Sequence, residues 1–173
     1  MIRILAPAFM TAALLAGGLP TQQEALALAF PGAQFQRKEF FLTEAQAAAV
    51  KQKAGVDLPG LWIVAYEARK DGQLLGVGLF DTHRVRTLNE TALVAVTPEG
   101  RVKRVEIVAF REPQDYMAKE AWIRQFEGRK LDQDLMLQRG IKPLSGATLT
   151  ANALTDASRR CLALWQVLYG GAK

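Results

Sequence analysis

The chain has very little of the two residues on which most metal and disulfide sites depend. Among its 173 residues there is one cysteine, Cys161, and one histidine, His83. A single cysteine excludes an intramolecular disulfide and any cysteine-based zinc or iron–sulfur site, and a single histidine excludes a histidine-rich metal site. We therefore expect Cys161 to be a buried core residue.

The chain also lacks several common ligand-binding signatures. It contains no P-loop, no Rossmann glycine fingerprint and no nucleophile elbow. Its 22 basic and 17 acidic residues leave a net charge of +5, an excess too small to indicate a nucleic-acid partner. Half of the residues are hydrophobic and 23% are charged, as in an ordinary globular protein. The length is that of one domain, which we expect over residues 19–173.

The first residues differ in composition from the rest. Arg3 is followed by an almost wholly apolar run from Ile4 to Leu15, and then by the small residues Ala16, Gly17 and Gly18. This order is typical of a secretory signal, so we expect residues 1–18 to be a signal peptide that is cleaved after Gly18. An uncleaved membrane anchor is the alternative, since the run approaches the length that spans a bilayer. Both interpretations predict an exported protein, periplasmic or on the outer face of the cytoplasmic membrane.

Beyond that segment, helical and strand patterns alternate. Capping boxes that begin at Thr21 and Thr43 predict two short helices, ending near Phe30 and at Gly55. Alternating apolar residues and turn residues predict strands over 34–42, 61–68, 73–80, 91–96 and 101–110. A helical turn over 131–137 and a final helix from Thr150 to Leu168 follow. The sequence therefore predicts an α+β fold, an antiparallel sheet of hairpins with helices covering one side.

One short motif carries most of the functional information. Ser145-Gly146-Ala147-Thr148 lies just before the last helix and combines two hydroxyl groups with a glycine and a small spacer. A helix N-terminus has unpaired N–H groups and the positive end of the helix dipole, so it attracts phosphate. Lys142 and Arg139 add positive charge nearby. The alternative is a loop that only caps the helix through Thr150.

The stretch Leu144–Thr150 resembles the flavin attachment motif of the FMN-binding domain family. This family includes the C subunit of the sodium-pumping NADH:quinone reductase and the G subunit of the Rnf electron transport complex. In it, the last threonine of the motif is esterified to the phosphate of FMN by a magnesium-dependent flavin transferase, which works outside the cytoplasm with FAD as donor. The resemblance extends from the first hairpin to the end of the chain. It implies an FMN-binding domain fold and covalent FMN at Thr148. The other cofactor-binding residues that we infer are Ser145, Gly146, Ala147, Thr150, Lys142 and His83.

The function that the resemblance implies is electron transport rather than catalysis. The redox chemistry would belong to the isoalloxazine ring, and Thr148 would be a tether. The implied partners are the flavin transferase and a redox protein or membrane electron-transport complex.

Two other functions remain open. The transferase usually meets an aspartate three residues before the serine, and this chain has Lys142 there. A module of the same fold that binds FMN without a covalent bond, or that mediates assembly of a redox complex, is therefore the first alternative. The second is a hydrolase or transferase that acts through the hydroxyl of Ser145 or Thr148, although the sequence places no base near either.

Other polar and aromatic residues have their own interpretations. The cluster Asp81–Thr87 follows the first hairpin, and we expect a loop that either is solvated or lies over the flavin, with His83 or the arginines near the ring or phosphate. The segment from Pro113 to Phe126 is expected to begin as a loop and become a helix, and Glu112 and Asp115 are expected to cap that helix rather than to act as an acid/base pair. The spacing of Trp122 and Phe126 indicates core packing rather than flavin stacking.

Two adjacent arginines lie on the final helix. Arg159 and Arg160 are expected to lie on a solvated face, with partner docking as the alternative.

Overall fold

The computed structural model describes residues 18–170. Apart from Gly18, the predicted signal segment lies outside these residues. The elements are α1 (Gln22–Ala29), β1 (Gln34–Phe41), α2 (Glu44–Ala54), β2 (Trp62–Lys70), β3 (Gln73–Arg84), β4 (Asn89–Val96), β5 (Val102–Phe110), α3 (Glu120–Ile123) and α4 (Thr148–Leu168). Short 3₁₀ turns at Gln114–Tyr116 and Arg124–Phe126 flank α3.

Both predicted capping boxes are present. The backbone N–H of Glu24 donates to the Thr21 hydroxyl, and the N–H of Thr21 donates back to the Glu24 carboxylate at 2.8 Å. Thr43 and Gln46 make the same reciprocal pair at the start of α2. Helix α2 ends at Gly55, whose φ of 73° lies in the left-handed region that glycine adopts without strain. The sequence therefore defines both short helices before any tertiary contact is considered.

The five strands form one antiparallel sheet in the order β1-β2-β3-β4-β5. Every strand pairs with its neighbour in sequence. The first hairpin turns at Asp71 and Gly72, both with positive φ, as the Asp-Gly pair predicted. This confirms the expected α+β class with an antiparallel sheet of hairpins.

Helices cover both faces of the sheet, and the expectation of one covered side is wrong. Helix α4 packs against one face, whose core includes Val77, Leu79, Val94 and Leu154, and α2 packs against α4. Helix α1 packs on the opposite face, against strands β4 and β5. The physical reason is that inward-facing and outward-facing positions of the central strands are both apolar, so each face has hydrophobic area to bury.

The boundaries of three elements differ from their prediction. Strand β3 continues past Phe80 to Arg84, so the predicted loop shrinks to residues 85–88. Residues 131–137 form turns and no helix. Helix α4 begins at Thr148 with Ala147 as its N-cap, not at Thr150.

Two further observations concern the part of the chain that the structure describes. Among residues 18–170, no helix is both long and apolar enough to cross a bilayer. Cys161, on α4, is free and its side chain is buried in the core, as expected.

Candidate functional site

A cleft of about 290 Å³ opens at the N-terminus of α4. One side is formed by the loop 85–88 and by Glu112, which follows β5. The other side is the segment 146–150 at the start of α4, and Tyr116 also lines the cleft. Four of the predicted cofactor-binding residues therefore meet in one place: Gly146, Ala147, Thr148 and Thr150.

The start of α4 leaves its first backbone donors available. No side chain caps the helix at Ala147, and the N–H groups of the first helical turn have no partner within the helix. Thr148, the first helical residue, is exposed and lines the cleft. A hydroxyl group and a set of unpaired N–H donors thus lie together at the positive end of a 21-residue helix.

Gly146 is required for its backbone conformation. Its φ is +79°, and a Cβ atom added there would meet nothing within 4 Å. The space around Gly146 is therefore open, and sterics alone would admit a side chain there. The constraint is the left-handed φ, which other residues adopt only with strain.

Thr150 connects the two sides of the cleft. It is buried, and its hydroxyl donates to the backbone carbonyl of Tyr116 at 2.7 Å. The alternative in which Thr150 is the N-cap of α4 is therefore wrong, because Thr150 lies within the first turn of the helix. Its hydrogen bond instead fixes α4 against the 3₁₀ turn at Gln114–Tyr116.

Ser145 and Lys142 are exposed, but neither lines the cleft. The backbone of Lys142 is held from both sides, since its N–H donates to Gln125 Oε1 at 2.7 Å and its carbonyl accepts from Trp122 Nε1 at 2.9 Å. The Trp122 ring packs edge-on against the buried Phe126, 5.4 Å between centroids. The predicted packing role of this aromatic pair is confirmed, and it anchors the segment that leads to the motif.

Glu112 organises the opposite side of the cleft. Its Oε1 accepts from the backbone N–H groups of Arg86, Thr87 and Leu88 at 3.2, 2.6 and 2.8 Å, and from the Thr87 hydroxyl at 3.3 Å. Hydrogen bonds from the N–H groups of Leu88 and Thr87 lower the pKa of Glu112. Our expectation that Glu112 caps the next helix is wrong, because its carboxylate points back to the loop that precedes β4.

His83 lies in a buried ionic cluster and not in the cleft lining. This cluster, which we call the His83 cluster, consists of Arg160 on α4, Asp81 and His83 on β3, and Glu90 on β4. Arg160 donates to both Asp81 oxygens at 2.8 Å. The two ring nitrogens of His83 lie 2.9 Å from Asp81 Oδ1 and 3.0 Å from Glu90 Oε2. We expected residues 81–87 to form a polar loop, either solvated or over a ligand. Residues 81–84 instead continue strand β3, and the side chains of Asp81 and His83 point towards α4 and form ion pairs there.

The pKa values within the His83 cluster follow from burial and pairing. Burial alone would raise the pKa of Asp81, but hydrogen bonds from Arg160 and His83 outweigh it and lower the pKa to about 2. Burial alone would lower the pKa of His83, but its two carboxylate partners raise it to about 9. Burial raises the pKa of Glu90, whose second oxygen has no partner among the described residues. The cluster thus holds His83 as a cation at neutral pH.

Neither arginine on α4 lies on a solvated face, so that expectation is also wrong. Arg160 is 9% exposed. Arg159 donates to the backbone carbonyls of Ala54, Asp132 and Leu135 at 2.7 to 3.1 Å. The long side chains bring the charge of α4 inward, to carbonyl and carboxylate oxygens that would otherwise be buried without a partner.

Sequence reasoning missed the role of Glu112 as the anchor of loop 85–88. It had considered the arginines of the Asp81–Thr87 cluster as ligand contacts, and of these Arg86 lines the cleft. The sequence contains only a weak signal for that anchor, namely a polar turn that is followed, after the two strands of the next hairpin, by an acidic residue. The pairing of Glu112 with a loop more than twenty residues earlier depends on the register of β4 and β5, which the sequence does not state.

Comparison with known proteins points to the same region of the chain as the cleft does. Residues 89–163 match the family model of the FMN-binding domain. The fold is similar to that in the crystal structure of Shewanella oneidensis NqrC, with a TM-score of 0.60 and 16% sequence identity over 79% of this chain and 83% of that one. A search of curated proteins by sequence found no match. The segment 89–163 includes Glu112 and the motif at 145–148. The matched segment and the similar fold agree with the resemblance to the FMN-binding domain family that the sequence motif indicated.

Proposed function

We propose that the protein is an electron-carrying flavoprotein whose FMN is attached through its phosphate to Thr148. The observation that carries the proposal is the exposed Thr148 hydroxyl at the first position of α4. That hydroxyl lies in a cleft, within the segment that matches the FMN-binding domain.

The residues of the cleft fit a phosphate-linked flavin. The unpaired N–H groups at the start of α4 suit a phosphate, and Val85, Tyr116 and Leu149 supply an apolar surface for a ring. Gly146 leaves open space next to the attachment residue. Bound FMN would supply one- and two-electron transfer through its isoalloxazine ring, and the protein would supply binding and orientation.

The titratable groups of the cleft favour a carrier over an enzyme. Among the described residues that line it, the titratable side chains are Arg86, Glu112 and Tyr116. Glu112 accepts four hydrogen bonds from the loop, and His83 is held between two carboxylates outside the lining. An enzyme that oxidises a small substrate usually needs a base aimed into its pocket. A carrier needs a tethered ring and a surface for its partner, which we expect to be a redox protein or a membrane electron-transport complex.

Attachment requires a separate enzyme, because the one carboxylate among the described residues that line the cleft, Glu112, is already held by the N–H groups of the loop. The Thr148 hydroxyl loses its proton as the Oγ–phosphorus bond forms, and AMP leaves from the FAD donor. A flavin transferase with its magnesium ion would provide the activation. The chain itself provides an accessible hydroxyl on an ordered helix start.

Intact-mass measurement tests the attachment. Co-expressed with a flavin transferase and exported, the protein should gain the mass of FMN less one water. Thr148→Ala should abolish this gain, whereas Ser145→Ala should only reduce it, since Ser145 does not line the cleft. Peptide mapping that places flavin on Ser145 or Thr150 would contradict the assignment.

A second candidate, a module that binds FMN without a covalent bond, is favoured by one observation. The exposed Lys142 occupies the position where a transferase of this family usually meets an aspartate. If the wild-type chain remains unmodified while Lys142→Asp gains the FMN mass, the non-covalent function is supported and Lys142 is the reason.

We also propose that the protein works outside the cytoplasm, on the basis of Arg3 and the apolar run that follows it. N-terminal sequencing of protein from the native cell envelope should give a mature chain that begins near Leu19. An intact Met1 with tight membrane association would indicate an anchor. Soluble cytoplasmic protein that retains Met1 would contradict export.

A further inference from the structure

We propose that Arg86 is the counter-charge for the flavin phosphate, and that Glu112 is a positioning residue that holds the Arg86 backbone opposite Thr148. This inference rests on the proposed function, because it assigns two residues to the binding of the same FMN. For this role the sequence suggested Lys142 or the arginines of the Asp81–Thr87 cluster, and Arg86 is the one of these that lines the cleft.

Arg86 lies on the side of the cleft opposite the attachment residue. It is the only cationic side chain among the described residues that line the cleft, and Thr148 lies in the segment that forms the other side. Its guanidinium makes no salt bridge within residues 18–170. An unpaired arginine beside a phosphate-linked ligand can donate two hydrogen bonds to the phosphate oxygens.

Glu112 fixes the direction in which the loop presents Arg86. A single carboxylate oxygen accepts the N–H groups of three consecutive residues, Arg86, Thr87 and Leu88. Glu112 is 6% exposed although the three loop residues are exposed. The exposed loop is therefore held by one buried acceptor, the Glu112 carboxylate, and the conformation of the loop depends on this carboxylate.

The neighbouring arginine provides a matched control. Arg84 is also exposed and lies two residues earlier on β3, but it does not line the cleft. On β3, Asp81 and His83 face α4. Arg84 is one residue further along, so it points to the other face of the sheet. Removing Arg84 changes the net charge as removing Arg86 does, but leaves the cleft unaltered.

The test compares FMN with riboflavin, which lacks the phosphate. Titration calorimetry on the full chain, made without a flavin transferase and therefore unmodified, should show FMN binding about tenfold more tightly than riboflavin, as expected for one charged hydrogen-bonding pair. Arg86→Ala should remove most of this preference, leaving the part that the N–H groups at the start of α4 contribute, and should leave riboflavin binding unchanged. Arg84→Ala should keep the preference, and Arg86→Lys should restore part of it.

Variants of Glu112 separate positioning from charge. Glu112→Ala should reduce the preference for FMN although Arg86 is still present, and Glu112→Gln, which keeps an acceptor oxygen, should reduce it less. Circular dichroism of each variant would establish that the domain is folded. A Glu112→Ala variant that is folded and keeps the full preference would overturn the positioning role.

Three results would overturn the role of Arg86: an undiminished preference in Arg86→Ala, an equal loss in Arg84→Ala, or no preference for FMN in the wild-type chain. The outcome is separable from that of the proposed function. A chain that gains FMN at Thr148 but shows no Arg86-dependent preference would refute only the role of Arg86. A chain that shows the preference but never gains the mass would refute only the covalent attachment.

Discussion

Asp81 is the residue on which the joint between α4 and the sheet most depends. Its carboxylate receives two hydrogen bonds from Arg160 and one from His83, and all three side chains are almost completely buried. A buried charge that loses its partner is costly because neither water nor another ion replaces it.

Replacing this carboxylate should therefore destabilise the protein strongly. Asp81→Asn is expected to lower the free energy of unfolding by about 3–5 kcal/mol, because it leaves Arg160 and His83 buried beside a neutral amide. Urea unfolding followed by circular dichroism measures the change. Asp57→Asn, which alters an exposed pair with Lys51, should have little effect. Similar losses in both variants would show that the cluster contributes nothing particular.

The protonation of His83 makes stability depend on pH on the alkaline side. The pKa of His83 rises from an ordinary 6.5 to about 9 on folding. Between these two pKa values the folded state keeps a proton that the unfolded state releases. The stabilisation that results is fully present below pH 6.5 and is lost as the pH rises to about 9. We expect the free energy of unfolding to fall by roughly 1 kcal/mol per pH unit between pH 7 and 9. Urea unfolding across this range should show the slope, and His83→Gln should remove it. A wild-type profile that is flat to pH 9 would contradict the pairing.

On the scale of elements, the cleft depends on two structures that come from different parts of the chain, the loop 85–88 and the start of α4. Glu112 holds the loop by accepting its N–H groups. The start of α4 is held by the hydrogen bond that the Thr150 hydroxyl donates to the Tyr116 carbonyl. The pKa of Glu112 is lowered by the loop N–H groups, so the anchor is ionised at neutral pH.

Hydrogen exchange should report the anchor directly. In Glu112→Ala, the amides of Arg86, Thr87 and Leu88 lose their common acceptor, and we expect them to exchange faster by at least tenfold. Exchange in the core strands should be unchanged. Glu99→Ala, at the tip of the second hairpin, is a matched control and should leave the loop as it is. Unaltered exchange in Glu112→Ala would mean that other contacts hold the loop.

The elements also show what the sequence could predict. Capping boxes, the Asp-Gly turn and the glycine that ends α2 are local signals, so the first two helices and the hairpins followed from neighbouring residues alone. The extension of β3 beyond Phe80 could not be predicted in this way, because charged residues such as Asp81 and His83 are more typical of a loop than of a strand. Their partners lie on β4 and α4, and only the tertiary fold brings those charges together. For the same reason, the motif around Thr148 was identified and the arginines of the Asp81–Thr87 cluster were considered as ligand contacts, but the anchoring role of Glu112 was not predicted.

On the scale of the whole molecule, the protein should transfer electrons to partners rather than turn over small substrates. Flavin-loaded protein mixed with NADH or common metabolites in a stopped-flow instrument should show negligible reduction, because the cleft presents no free base and no nicotinamide fingerprint exists. Dithionite should reduce the same flavin fully, which controls for loading. Rapid and saturable reduction by a small molecule would contradict the carrier function.

The meander of five strands has a consequence for the order of folding. Because each strand pairs with its neighbour in sequence, no strand pairing depends on the last part of the chain. The face of the sheet that α4 covers stays exposed to solvent until this 21-residue helix packs on it. Arg160 can pair with Asp81 only after that step. Thr148 acquires its ordered surroundings in the same step. A transferase that recognises the folded loop would therefore load finished molecules and pass over truncated ones.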